Sequence, residues 1–110
     1  MSTSKQFIEY FIDRTTGIGD ITLKSMMGEY LIYYRGKLVG DICDNRVLIK
    51  PVPSAQNLMP SADMQPPYQG AKAMLVLDNF EDTDFVKNLF GAMYAELPEP
   101  KAKKRRTVQG

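Results

Sequence analysis

The spacing of apolar residues along this chain switches from helical to alternating and back again. In residues 3–16, Phe7, Ile8, Phe11 and Ile12 recur at i, i+1, i+4 and i+5, one stripe of an amphipathic helix. Ser4 or Thr3 caps its start by accepting a backbone N–H bond, and Gly17 ends it. Gly17-Ile18-Gly19-Asp20 is then a connector; its two glycines do not follow a strand, so a dinucleotide-binding reading fails on context. The segments Ile21–Met26, Glu29–Tyr34, Lys37–Cys43 and 46–50 are short and rich in Ile, Val, Tyr and Leu, which predicts an antiparallel meander. Arg35-Gly36 and Asp44-Asn45 are two-residue hairpin signals, because Gly, Asp and Asn accept positive φ. Pro51 and Pro53 end the meander. Residues 54–59 form a helical turn with Ser54 as cap and Pro60 as stop; Pro66-Pro67 marks the loop that follows, and residues 73–77 form another strand. A second long helix starts at Asp82 or Thr83. Phe85, Val86, Leu89, Phe90, Met93 and Leu97 are its stripe, and Pro98 and Pro100 end it. The predicted class is α+β: an antiparallel β-meander sheet with N- and C-terminal helices packed on one face.

Two-residue loops fix a register by arithmetic. Opposed positions sum to 71 in the first hairpin and to 89 in the second. Opposed residues share a face, so Leu31, Tyr33, Leu38, Gly40, Ile42, Val47 and Ile49 form the predicted core face. The other face then holds Tyr30, Ile32, Tyr34, Lys37, Val39, Asp41, Cys43, Arg46, Leu48 and Lys50, a mixture richer in aromatic and aliphatic groups than a solvated face. Tyr30, Ile32, Tyr34 and Val39 are the expected anchors of a contact with a protein partner or a second copy, with Lys37, Asp41 and Lys50 on the rim.

Charge changes the picture at one end. The 110 residues carry a formal net charge of +1. Residues 1–98 hold 9 Lys/Arg against 12 Asp/Glu, whereas residues 99–110 hold 5 against 1. We therefore divide the chain into a folded domain over 1–98 and a basic flexible tail over 99–110. Lys101, Lys103, Lys104, Arg105 and Arg106 give the alternative reading, a nucleic-acid-associated protein whose tail makes weak, non-specific, salt-sensitive contacts with phosphates. No aromatic residue is interleaved among them for base stacking, and a solvated tail is the simpler reading.

Candidate chemistry is sparse. The chain has no histidine and one cysteine, Cys43. That removes the usual general base, Ser-His and Cys-His dyads, zinc sets and an internal disulfide, and a cytoplasmic setting is the simplest. Cys43 has no adjacent Lys or His to activate it and is read as a packing residue. Met26, Met27, Met59, Met64, Met74 and Met93 are read as core filler rather than soft-metal ligands. Asp78, Glu81, Asp82 and Asp84 lack the spacing of a calcium loop and suit a helix start. No cofactor, metal or catalytic residue is expected, no apolar run reaches membrane-spanning length, and an enzyme is the least supported alternative; a pocket joining Tyr68, Lys50 and a carboxylate would be its signature.

The meander also carries a resemblance. Met26-Met27-Gly28-Glu29-Tyr30, Ile32-Tyr33, Gly36-Lys37, Asp44 and Leu48-Ile49-Lys50-Pro51, with Pro66-Pro67-Tyr68-x-Gly70-Ala71-Lys72 and the Ala95-Glu96-Leu97-Pro98 ending, resemble the N-terminal domain of the TfoX/Sxy family, as a small stand-alone member. Met27 stands where that family usually has Phe, and Leu31 often corresponds to Gly. The resemblance implies an α+β fold and no established catalytic residues. It also implies a regulatory role, in competence and transcription, that belongs to longer members with a further C-terminal domain.

Overall fold

A computed structural model describes residues 3–99. Helix α1 (Lys5–Thr15) is followed by β1 (Ile21–Met26), β2 (Glu29–Tyr34), β3 (Lys37–Cys43) and β4 (Arg46–Ile49), then α2 (Pro53–Leu58), β5 (Met64–Gln65), β6 (Met74–Val76) and α3 (Thr83–Tyr94). The strands form one antiparallel sheet in the order β1-β2-β3-β4-β6-β5. The class is α+β, with the three helices burying their apolar residues in one cluster against one face of the sheet.

The meander is built from three two-residue turns with both central residues at positive φ: Met27-Gly28 (49° and 87°), Arg35-Gly36 (51° and 85°) and Asp44-Asn45 (58° and 59°). Left-handed central pairs match the right-handed strand twist, which is why such turns close hairpins tightly. Asn45 also ties the start of α1 to its turn. Its side-chain oxygen accepts the Ser4 N–H at 2.9 Å, and its own N–H donates to Thr3 Oγ1. Ser4 Oγ accepts the Phe7 N–H as the helix cap, and Asp82 does the same for Phe85 at α3. Gly17 is not at positive φ; Gly19 and Asp20 make the reversal after α1. Ser54 does not cap α2, which starts at Pro53; instead its N–H and hydroxyl both donate to the Glu96 carboxylate, at 2.9 and 2.6 Å. These bonds hold the Glu96 carboxyl below its usual range and lock the end of α3 to the start of α2.

The expected register fails at one residue. The second hairpin keeps its sum of 89, with Gly40, Asp41, Ile42 and Cys43 opposite Ile49, Leu48, Val47 and Arg46. The first keeps 71 only as far as Tyr33 opposite Leu38; Ile32 then faces Gly40, and Val39 is an extra residue on β3. This β-bulge shifts the face assignment of β2 relative to the remainder of β3. Gly40 permits it, because a Cβ at this position would collide with the Leu48 carbonyl oxygen and crowd the Ile49 Cα.

Candidate functional site

The bulge decides which side of the sheet is available. Ile32 and Val39 are completely buried and Tyr34 is 6% exposed, all inside the helix-bearing core with Ile42, Val47 and Ile49. The Tyr34 ring packs at 5.8 Å from Phe90 and 6.2 Å from Tyr94. Tyr30 is half-buried against the same core. Lys37 is 7% exposed: its Nζ donates to the Tyr94 carbonyl at 3.1 Å, lies 4.1 Å from the Tyr94 ring centre and sits 3.7 Å from Glu99. A cation at the carbonyl end of a helix is favoured by the helix dipole, so this lysine secures α3 rather than rimming a contact surface. The expected docking set is thereby corrected: Tyr30, Ile32, Tyr34, Val39 and Lys37 are core-side residues, and only Asp41 and Lys50 lie on the opposite face. Leu31, Tyr33 and Leu38, expected in the core, exchange places with them. The tail residues Lys101, Lys103, Lys104, Arg105 and Arg106 lie outside the described residues.

The face turned away from the helices has a centre and two flanks. Leu48, completely buried, is its centre, although it is not part of the helix-bearing core. It stands opposite Asp41 on one side and Val76 on the other. Half-buried Leu31, Tyr33 and Leu38 extend the face across β2 and β3, and Met74 and Val76 extend it across β6; none of these five joins the core cluster.

Asp41 is the unusual group here. It is 9% exposed, so its charged form is poorly hydrated, and the Glu29 carboxyl beside it adds hydrogen bonding and like-charge repulsion. Together they push the Asp41 carboxyl up to about 7, with the Lys50 ammonium pulling weakly the other way. Among the described residues, neither carboxyl forms an ion pair within 4 Å.

At the turn end of the same face lies a cleft of about 600 Å³ lined by Met27, Gly28, Glu29, Cys43, Asp44, Arg46 and residues 66–69. The Cys43 thiol donates to the Pro67 carbonyl at 3.0 Å. Burial and the Glu29 charge push that thiol up, outweighing Arg46, so it stays protonated and holds the loop. Arg46 donates to Gln65 Oε1 at 2.6 Å and to the Pro66 carbonyl at 3.4 Å, which uses its guanidinium to fasten the same loop. Met27 (95% exposed) and Tyr68 (61%) stand open at the rim. Tyr68 and carboxylates meet here, but Lys50 does not line the cleft. Asp82 caps α3 and Asp84 lies in its first turn, while Glu81 accepts the Tyr10 hydroxyl and ties the approach to α3 to α1. Among the described residues, no group of three or more Cys, Asp or Glu side chains is arranged to hold a metal ion, and no helix is long and apolar enough to cross a membrane.

Across 108 residues the chain is 32% identical to a Spirochaeta aurantia protein described as an uncharacterized 12.7 kDa protein in the trpE 5′ region, a match spanning 97% of this chain and 94% of that one. No family model matches the chain, and no solved structure matches it. At that identity over nearly the full length of both proteins, the chain belongs to the same family as the S. aurantia protein.

Proposed function

We propose that this protein is a non-catalytic interaction module, of the kind the resemblance to the TfoX N-terminal domain implies, and that it binds a protein partner through the outer face of its sheet. One observation carries this reading: all three helices bury their apolar residues on one side, while Leu31, Tyr33, Leu38, Met74 and Val76 form a half-buried apolar field on the other. Aromatic and aliphatic anchors within a charged rim are the composition that protein interfaces favour. Glu29, Asp41 and Asp44 give the turn end of that field an acidic character, while Arg46 is committed to the 65–66 loop. The partner that fits is therefore a protein segment presenting apolar side chains beside a Lys or Arg.

The test is site-specific photocrosslinking in extract of the native cells. A photoreactive phenylalanine analogue at Tyr33 is expected to trap a discrete protein, and the same analogue at Glu9, on the exposed side of α1, is expected not to trap it. Leu38→Glu should abolish the Tyr33 product without unfolding the chain. No product from position 33, or the same product from position 9, overturns the assignment. The alternative role, nucleic-acid contact through the tail, is read by retention on heparin with and without residues 99–110.

A further inference from the structure

The sheet has two edges, and they are built differently. Strand β5 is two residues long and lies between Pro60 and Pro66-Pro67, which offers a visiting strand almost nothing to pair with. Strand β1 is six residues long, contains no proline and, among the described residues, is paired only with β2. Its open groups follow from the ladder. The Arg35 N–H donates to the Asp20 carbonyl at 2.9 Å, and hydrogen-bonded pairs alternate along an antiparallel ladder. Residues 20, 22, 24 and 26 thus bond to β2. The N–H and C=O groups of Ile21, Leu23 and Ser25 point outward from the edge.

Beside this edge runs a groove of about 500 Å³ between α1 and β1, lined by Phe11, Ile12, Thr15 and Thr16 on one wall and residues 19–23 on the other. Ile12, expected on the buried stripe of α1, is 49% exposed there. Ile21 and Leu23 turn toward the same side and are only partly covered by the core.

We propose that β1 pairs antiparallel with β1 of a second copy, about a twofold axis through Leu23. Five registers let outward groups meet outward groups, and two of them, Ile21 against Ile21 and Ser25 against Ser25, engage a single residue of each copy. One that opposes Leu23 to Ser25 of the other copy leaves Ile21 unbonded and places Lys24 directly against Lys24, which like-charge repulsion disfavours. One that opposes Ile21 to Leu23 leaves Ser25 unbonded. Only Leu23 against Leu23, with Ile21 against Ser25 on both sides, engages the outward N–H and C=O of all three residues in each copy. It also sets each Lys24 opposite a Thr22 and brings the half-buried Leu23 and exposed Ile12 of both copies to one seam. The axis is perpendicular to the sheet, so both sets of helices stay on one side and the two outer faces become one continuous surface. The pairing closes on itself, because each copy contributes the one long open edge among its described residues and the two-residue β5 edge offers too little to pair with.

Sedimentation of the full chain tests this independently of the outer-face contact. The native protein is expected to sediment as a dimer with no larger species. Ser25→Pro removes only an outward N–H from each copy and should raise the dimer dissociation constant roughly tenfold to a hundredfold. Thr22→Lys, at an exposed position, should weaken it too by opposing Lys24. Directly paired hydrogen-bonded residues have Cα atoms about 5.5 Å apart, within disulfide range, so Leu23→Cys in a Cys43→Ser background should give an intermolecular disulfide under mild oxidation. Thr22→Cys in the same background should not. A native chain that stays monomeric across its soluble range, an open-ended series of oligomers, or a dimer with no Leu23→Cys crosslink overturns the proposal. Because the crosslink needs only the paired edge, it is decisive even if a proline variant unfolds. Loss of the Tyr33 photoproduct leaves the edge pairing untouched.

Discussion

The two faces of the sheet share their strands and differ in almost everything else. On the helix-bearing face Ile32, Val39, Ile42, Val47 and Ile49 are buried among Phe11, Leu89, Phe90 and Met93, and the cation placed there, Lys37, is satisfied by a helix carbonyl and an aromatic ring. On the outer face the apolar residues are half-buried, and a carboxyl pair is held together without a close counter-charge among the described residues. The first arrangement is what stability selects: dense packing and paired polar groups. The second sacrifices stability locally by keeping Asp41 beside Glu29, a feature that packing does not require. The helices thus hold the fold from one side, while the other side carries the 65–67 loop at its turn end and keeps Leu31, Tyr33, Leu38, Met74 and Val76 half-buried.

The two faces of β2 are set by the bulge at Val39, and Gly40 is what lets it form. Gly40→Ala places a methyl against the Leu48 carbonyl and should destabilise the chain by at least about 4 kcal/mol, or prevent folding, as read by urea denaturation. A smaller and more discriminating contrast uses neighbours on opposite faces. Ile32→Ala empties a sealed site and should cost about 3 kcal/mol, whereas Leu31→Ala, half-buried outside the core, should cost about 1 kcal/mol or less. Equal losses would mean that the faces are not distinct.

The folded-state value of Asp41 is raised from 3.8 to about 7, so between those limits the folded chain binds a proton that the unfolded chain does not. Stability then falls as pH rises from about 4 to about 7 and levels off above. Asp41→Asn removes the charge and should stabilise the protein at pH 8, by roughly 2 kcal/mol, with the gain vanishing near pH 4. Thermal or urea denaturation at the two pH values checks it; a variant that is less stable than the parent at pH 8 would mean that the Asp41 charge is stabilised, not strained. The same titration predicts that partner capture through the acidic end weakens from pH 8 to pH 6.

Much of this is legible in the residues, and the part that is not has two causes. The stripe of α3, both helix caps, four strands and the two turns at Arg35-Gly36 and Asp44-Asn45 follow from local chemistry, which acts over a few residues. Met27 takes positive φ with no signal beyond the Gly28 that follows it. Loop arithmetic inverts the faces of β2 because it assumes an unbroken ladder, and the extra Val39 breaks it; the cue is Gly40, since a glycine within a strand often marks a bulge. The anchors expected on the contact surface consequently lie in the core, while Asp41 and Lys50 stay outside because they follow the bulge. Long-range pairings have no sequence signal at all: Ser54 meets Glu96 and Lys37 meets Tyr94 only after the chain has folded.

The adjacent tyrosines provide the most direct measurement. Tyr34→Ala removes a ring packed on Phe90 and Tyr94 and should lower stability by about 3 kcal/mol. Tyr33→Ala should leave stability within about 1 kcal/mol and yet eliminate protein capture by a crosslinker placed at Leu38. Were Tyr33→Ala to unfold the chain, or to leave that capture intact, the outer face would not be the contact surface.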